Sequence, residues 1–381
     1  MSRIVRFVFL FAAFAAGAAY AKDIPLGLAA ALTGPAAKYG VSVKNGFVLA
    51  AQEINAAGGI NGTPIKLIVE DEQGKKEEAI NVFRKFIFRD RVLAIFGPTL
   101  SNSAFAADPV ANQQKVVVFG TSNTASGLTD IGPWVFRNSV MEADVLPVTL
   151  ARAVKQFNIG KVALLYGNDD AFTKSGADVF KAAIAQQRLT LTTTQTFAKG
   201  DVDFRAQLTQ IKASNPDAII CSALAEEAAA ILLQARALGM QQPFIGGNGF
   251  NSPKLFEIAR GAADNTIVGG PWAAENASPR NRAFVANYTR MTGAQPDQFA
   301  AQAYDALYIV AEGLRRVKLS GSLAADRKAL RDVLPGVRWE GATGPFAFRK
   351  AAGKPGVEVG FDAQQQAYVF ISQAGKFVLL K

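Results

Sequence analysis

Apolar residues along this chain fall into short runs that alternate with longer stretches of helical spacing. Ile24–Ala31 is a short β-rich run, and Thr33-Gly34-Pro35 follows it, with proline suited to a first helical turn. Val41 to Ile54 carries apolar residues at helical spacing until Ala56-Ala57-Gly58-Gly59 stops it. Pro64–Val69 alternates as a strand, and Glu77–Phe88 places Ile80, Val82, Phe83 and Phe86 on one helical side. Val92–Phe96 and Val116–Phe119 are further strands, separated by a helix from Ser101 through Ala107 and Val110. This β-α-β-α-β-α-β order demands a parallel sheet with helices on both faces.

The rhythm resumes after a break near Gly132–Glu142, which marks a lobe boundary. Helices are predicted over Val145–Phe157, Phe172–Gln186, Asp203–Ala213, Glu226–Leu238 and Ser252–Arg260. Strands between them fall at Lys161–Leu165, Leu189–Phe197, Ala218–Cys221, Pro243–Ile245 and Ile267–Val268. Beyond Gly270-Pro271-Trp272 the texture changes. Ser278–Met291, Phe299–Val317 and Leu323–Val333 read as helices with no strand between them, so they are expected to pack onto the first lobe. Gly344–Phe348, Ala367–Ile371 and Lys376–Leu380 read as short strands. The fold class is therefore α/β, with two Rossmann-like, doubly wound lobes.

The stretch Val92 to Thr124 holds the first chemistry. Both of its strands end in turns rich in hydroxyl residues, Ser101 after the first and Ser122, Asn123 and Thr124 after the second. Free N–H groups at a helix start, the positive end of its dipole and a hydroxyl make an anion cradle. Ligands of open α/β sheets bind at this edge. The expectation is a carboxylate site; the plainer alternative is that these hydroxyls are helix caps.

Composition narrows the classes. Arg3 and Arg6, the apolar Val5–Ala16 and Ala19-Tyr20-Ala21 form a secretory leader over residues 1–21, with cleavage expected before Lys22 and a periplasmic destination. No later run approaches a membrane span. The leader holds two of the 41 bases and none of the 31 acids, so the rest carries a net charge of +8. Those charges are scattered, without the basic stripe that nucleic-acid binding needs. Without histidine and with one cysteine, Cys221, a histidine triad, an internal disulfide and a zinc site are excluded. No metal or cofactor is expected.

The ordered set Leu32-Thr33-Gly34-Pro35 with Tyr39-Gly40, the segment from Glu53 to Gly62, Phe96-Gly97-Pro98 with Ser101, Thr121-Ser122-Asn123-Thr124 and the segment from Ala301 to Ala306 resembles a known family. It is similar to the type I periplasmic binding proteins of the branched-chain amino-acid class, the soluble receptors of ABC importers. The resemblance covers nearly all of the chain from Lys22. It implies two lobes joined by three crossing strands near Val140, Pro271 and Gly344, with the ligand between them. On that basis residues 22–141 with 272–345 form lobe 1, and 142–271 with 346–381 form lobe 2. By position, Ser101 and Thr124 match hydroxyls that hold the ligand carboxylate. Ser122 matches a carbonyl that takes the ammonium, and Tyr39 an aromatic residue that covers the ligand.

The second lobe departs from that pattern. Asn248 stands where the family places a glutamate for the ammonium, and Leu224 or Ala225 replaces a tyrosine, while another tyrosine falls at about Ala171. An amide cannot neutralise a buried ammonium, which left unpaired costs several kcal/mol. Asp169 or Asp170, between a strand and a helix, can supply the charge, or can simply cap the helix. Phe172, Phe250 and Trp272 are candidate apolar walls, and Tyr304 either reaches the cleft or packs within its helix. The expected function is binding of a small carboxylate for a membrane permease, an apolar amino acid first and an aromatic or short-chain carboxylate without an ammonium second. A ligand sensor with a separate partner is the nearest rival. A hydrolase built on Asp169 and Asp170 is a distant one, because adjacent acids usually point apart and no nucleophile elbow follows a strand.

Overall fold

The computed structural model describes residues 23–380, so the leader inferred over residues 1–21 lies outside the described residues. In the first lobe the chain runs β1 (Ile24–Ala30), α1 (Ala37–Ala56), β2 (Ile65–Asp71), α2 (Lys76–Arg84), β3 (Ala94–Phe96), α3 (Ser101–Gln113), β4 (Val117–Gly120) and β5 (Val135–Arg137). The second lobe contains α4 (Glu142–Phe157), β6 (Lys161–Gly167), α5 (Ala171–Gln186), β7 (Thr190–Phe197), α6 (Arg205–Ala213), β8 (Ala218–Ser222), α7 (Ala225–Ala237), β9 (Phe244–Gly246), α8 (Lys254–Ala259) and β10 (Thr266–Gly270). Then follow α9 (Pro279–Thr292), α10 (Gln298–Arg315), α11 (Leu323–Val333), β11 (Arg338–Gly341), β12 (Gly344–Lys350), β13 (Phe361–Gln364), β14 (Tyr368–Gln373) and β15 (Lys376–Leu379).

Two sheets result. Their parallel cores share one order, β2-β1-β3-β4-β5 in the first and β7-β6-β8-β9-β10 in the second. The central strands β3, β4 and β8 are buried throughout, which is why they read as unbroken apolar runs and not as alternation. At the edge, β7 is half exposed and rich in threonine, which fits a strand wetted on one side.

The three helices after β10 return to the first lobe. Helices α9 and α10 pack on α1, and α11 packs on α10 and near β4. Close approach of α10 to α1 depends on Gly46, where an added Cβ would sit 2.2 Å from the Ala300 carbonyl oxygen.

The tail corrects one expectation. The third crossing does not lie near Gly344. Strands β12 and β13 both join the first sheet, β13 alongside β5 and β12 antiparallel to β13. The chain enters the second sheet only after Gln364, where β14 pairs antiparallel with β10 and β15 with β14. The crossings thus run between β5 and α4, between β10 and α9, and between β13 and β14. Among the described residues no helix is long and apolar enough to cross a membrane.

Candidate functional site between the lobes

In both sheets the strand order reverses beside the first strand, between β1 and β3 and between β6 and β8. Chain segments leave such a point in opposite directions and open a crevice at the carboxyl ends of the strands. Here the two crevices face each other. The first lobe contributes Tyr39, Thr99, Leu100, Ser101, Ser122 and Phe299 to the shared cavity. The second contributes Asp170, Phe172, Leu224, Asn248 and Gly249. Its empty space, counted together with the open mouth, is about 360 Å³.

Ser101 is the first residue of α3, and the residue before it, Leu100, offers no side-chain cap. The first N–H groups of α3 therefore meet no capping side chain beside the cavity. The Ser101 hydroxyl accepts only a long bond, 3.4 Å, from the Ala125 N–H. Its place argues for an anion cradle more than for simple capping. Ser122 donates its hydroxyl to the Thr99 carbonyl at 2.7 Å, while its own carbonyl accepts Asn248 Nδ2 at 3.3 Å.

Two neighbours in the same turn do other work. Asn123 is fully buried and donates to the carbonyls of Pro98 (2.9 Å) and Thr99 (3.2 Å), tying the two hydroxyl turns together. Thr124 points to Glu142, with its hydroxyl 3.5 Å from Oε1. Neither side chain is a wall of the cavity. Arg137, buried at the end of β5, fixes this turn by donating to the carbonyls of Asn123 (3.2 Å) and Ala125 (2.8 Å) and to Asp362 of β13 at 2.7 Å.

Tyr39 joins the lobes. It sits on α1 of the first lobe, yet its hydroxyl donates to the Gly249 carbonyl at 2.5 Å and accepts the Ala225 N–H at 2.8 Å. Its ring packs edge-on against Phe299, with centroids 5.0 Å apart. Burial pushes the phenol far above its ordinary pKa, so it stays protonated and serves as donor and acceptor at once.

The two neighbouring aspartates separate as adjacent acids do. Asp170 is buried, caps α5 by accepting the N–H groups of Phe172 (2.9 Å) and Thr173 (3.2 Å), and takes Asn102 of the first lobe on its other oxygen. Burial raises its pKa, and those N–H bonds oppose the rise. Asp169 is exposed and accepts the Lys199 N–H instead. Asp170 is therefore both a cap and a cavity wall.

Asn248 is engaged on both ends of its amide. Nδ2 donates to the Ser122 carbonyl, and Oδ1 accepts from Gln298. The backbone N–H of Asn248 donates to Glu142 Oε1 at 2.9 Å. Glu142, at the first crossing, is buried, its other oxygen has no partner, and burial pushes its pKa up to about 7 against the pull of the Asn248 N–H.

Three aromatic candidates lie elsewhere. Trp272 donates its Nε1–H to Asn281 at 2.7 Å and packs on Phe284 inside the first lobe, so the start of α9 holds it off the cavity. Phe250 lies in the second-lobe core beneath Gly246. Tyr304 hydrogen-bonds Glu53, as does Tyr308 at 2.8 Å, which makes it a packing residue of α10. Sequence reasoning overlooked Thr99, Phe299, Arg137 and Glu142. Position after a strand end was a usable signal for Thr99, whereas Phe299 lies in the first turn of α10, after another helix. No local signal marks the other two, whose partners are distant in sequence. Cys221 is buried in β8, and its thiol is raised by burial, so it offers no nucleophile.

A family model described as a periplasmic binding protein matches residues 23–368. A Leu/Ile/Val-binding protein of Rhizobium johnstonii is 29% identical over 311 residues, 81% of this chain and 84% of its own. The structure resembles a branched-chain amino-acid transporter substrate-binding protein of Streptococcus pneumoniae in complex with isoleucine. That match has a TM-score of 0.84, 29% identity, and covers 93% of this chain and 98% of the other. It also shares its fold with a solute-binding protein of R. palustris in complex with benzoate, at a TM-score of 0.83 and 21% identity over 94% of this chain and 96% of the other.

Proposed function

Since the chain belongs to the periplasmic binding protein family and is a substrate-binding component of an ABC transporter, we propose that it carries a small carboxylate with an apolar body, an aliphatic amino acid first, to a membrane permease from the periplasm. One observation carries this reading. The uncapped start of α3, with Ser101 on it, opens into a small cavity whose opposite walls are Phe172, Leu224 and Asp170. Oxyanion donors on one lobe and apolar surface with a carboxylate on the other match the two ends of an amino acid. Ligand contacts made by both lobes exist only when they are closed, so binding shifts the population toward closure. The Rhizobium relative named for leucine, isoleucine and valine supports the same class.

A second reading rests on Asn248. Its Nδ2 already donates to the Ser122 carbonyl, the position that the family resemblance gives to a ligand ammonium. A carboxylate without an amine, such as benzoate, leaves that bond intact. Calorimetric titration of the mature protein, stripped of ligand by unfolding and refolding, decides between them. Tight binding of leucine, isoleucine or valine supports the amino acid, with Asp170 as the cation's partner. Binding of benzoate and not of leucine supports the second reading, and silence from both classes defeats the proposal. Recovery of the bound molecule with unchanged mass excludes turnover.

A further inference from the structure

At the opposite end of the first sheet from the cleft, the segments leading into β3, β4 and β5 meet the start of α11 around an open groove. Its walls carry five cations, Arg91, Lys115, Arg327, Lys328 and Arg331, and one acid, Asp332. Its empty space is about 1640 Å³ on the measure that gives 360 Å³ for the cleft, so it is a surface trough.

Arg327 sets this groove apart from an ordinary basic surface. Its residue is 7% exposed, and its Nε and Nη2 donate only to the Val92 carbonyl, at 3.0 and 2.6 Å. Among the described residues no carboxylate lies within 4.0 Å of it. Buried charges are ordinarily paired, because a guanidinium taken from water needs compensation. The nearest acid in sequence, Asp326, is turned back on its own loop and accepts the N–H and hydroxyl of Ser320 (2.7 and 2.8 Å) and the Gly321 N–H (3.1 Å). Asp332 is shared between Lys328 and Arg331. Burial first, and then the like charge of Arg91, lower the Arg327 pKa to about 10, the mark of crowded cations without a counter-charge.

The rest of the groove is arranged for an oxyanion. The first turn of α11, an eleven-residue helix, has Ser322 before it with no side-chain cap bond. The first turn also carries Asp326, whose carboxylate is held by Ser320 and Gly321 and offsets the helix dipole, so the side-chain cations supply the groove's positive field. Arg331 lies over the Trp134 ring, 6.0 Å from its centroid, and donates to the Pro133 carbonyl at 3.2 Å, which fixes a planar guanidinium at the wall.

We propose that this groove binds a phosphate-type polyanion, with Arg327 at its floor and Arg91, Lys115 and Lys328 at its rim. Two sources supply that chemistry, a soluble phosphate compound and the headgroup of an anionic phospholipid. The site is independent of the cleft and stands whichever carboxylate the cleft carries.

The test uses the full mature protein. Pyrophosphate is titrated calorimetrically at low and high salt, and vesicles of phosphatidylglycerol are compared with phosphatidylcholine in a sedimentation assay. Saturable pyrophosphate binding that weakens with salt assigns a soluble source. Sedimentation with phosphatidylglycerol alone assigns the headgroup. Arg327→Met removes the buried cation. The exposed pair Lys115→Ala and Lys328→Ala keeps the test valid if Arg327→Met fails to fold. Each variant should weaken binding about tenfold or more, as loss of a charge-assisted contact does. No binding by either probe, or binding that survives the folded variants, overturns the proposal.

Discussion

Tyr39→Phe removes one oxygen and with it two bonds that exist only between lobes. The Tyr39 hydroxyl donates to Gly249 and accepts from Ala225, and both partners belong to the second lobe. Each bond is worth about 0.5–1.5 kcal/mol net, so the closed form should lose ~1–3 kcal/mol. When the lobes part, water replaces both bonds, so the open form is indifferent to the change. The ring keeps its edge contact with Phe299, so the first lobe should fold as before. Affinity for the carboxylate should fall about 5- to 150-fold, at 1.4 kcal/mol for each factor of ten. Calorimetry reads that fall. With the open form predominant before ligand binds, the unfolding midpoint without ligand should be nearly unchanged. A dissociation constant within twofold of the wild type would refute the view that this hydroxyl latches the cleft.

Other variants probe the remaining parts. Ser101→Ala should weaken the carboxylate about tenfold or more without unfolding the lobe, since a hydroxyl bond to a charged group is lost; calorimetry and a thermal melt check both halves. Glu142 makes stability depend on pH. Its native pKa of about 7 lies above the ordinary 4.5, so the native state binds more protons than the unfolded chain between those values. Stability therefore falls as pH rises through that window, by ~3 kcal/mol in all. Glu142→Gln should abolish that fall, seen as a melting temperature at pH 8 raised toward its value at pH 5; an unaltered slope would assign the titration elsewhere. Asn248→Glu places an acid beside the Ser122 carbonyl and should tighten leucine relative to benzoate by about tenfold or more, as a charged hydrogen bond does. A ratio that stays put would remove Asn248 from the account of specificity.

The elements legible in the sequence were those whose cause is local. Leu323–Val333 is recovered at both ends because its amphipathic period sits between a Gly-Ser turn and Pro335. The strands β3, β4 and β8 were legible as apolar runs because central parallel strands are buried on both faces. Strand β13 was not. Its four residues carry a polar Asp362 and Gln364, and they become a strand by lying alongside β5 more than two hundred residues earlier. Missing it moved the third crossing from beyond Gln364 to near Gly344.

The site divides in the same way. Ser101, Ser122, Asp170 and Phe172 follow strand ends, and strand ends can be read. Within the turn from Thr121 to Thr124, however, nothing local tells which side chain faces the cavity. Packing sends Asn123 inward to hold the turns together and Thr124 across to Glu142. Glu142 itself reads as an ordinary acid at a helix start. Its burial arises from the loop of Asn248, brought against it by the second-lobe sheet. Trp272 and Tyr304 show the converse, since large aromatic residues near a boundary find partners within the first lobe.

The central claim is that a carboxylate is what the two lobes close upon. The most direct measurement is calorimetric titration of the ligand-free protein with two matched pairs, leucine with leucinamide and benzoate with benzamide. The account predicts that at least one acid binds with one-to-one stoichiometry and that its amide binds about tenfold more weakly or worse, because the cradle at the start of α3 loses its anion. Equal binding of acid and amide, or no binding by either acid, would contradict it.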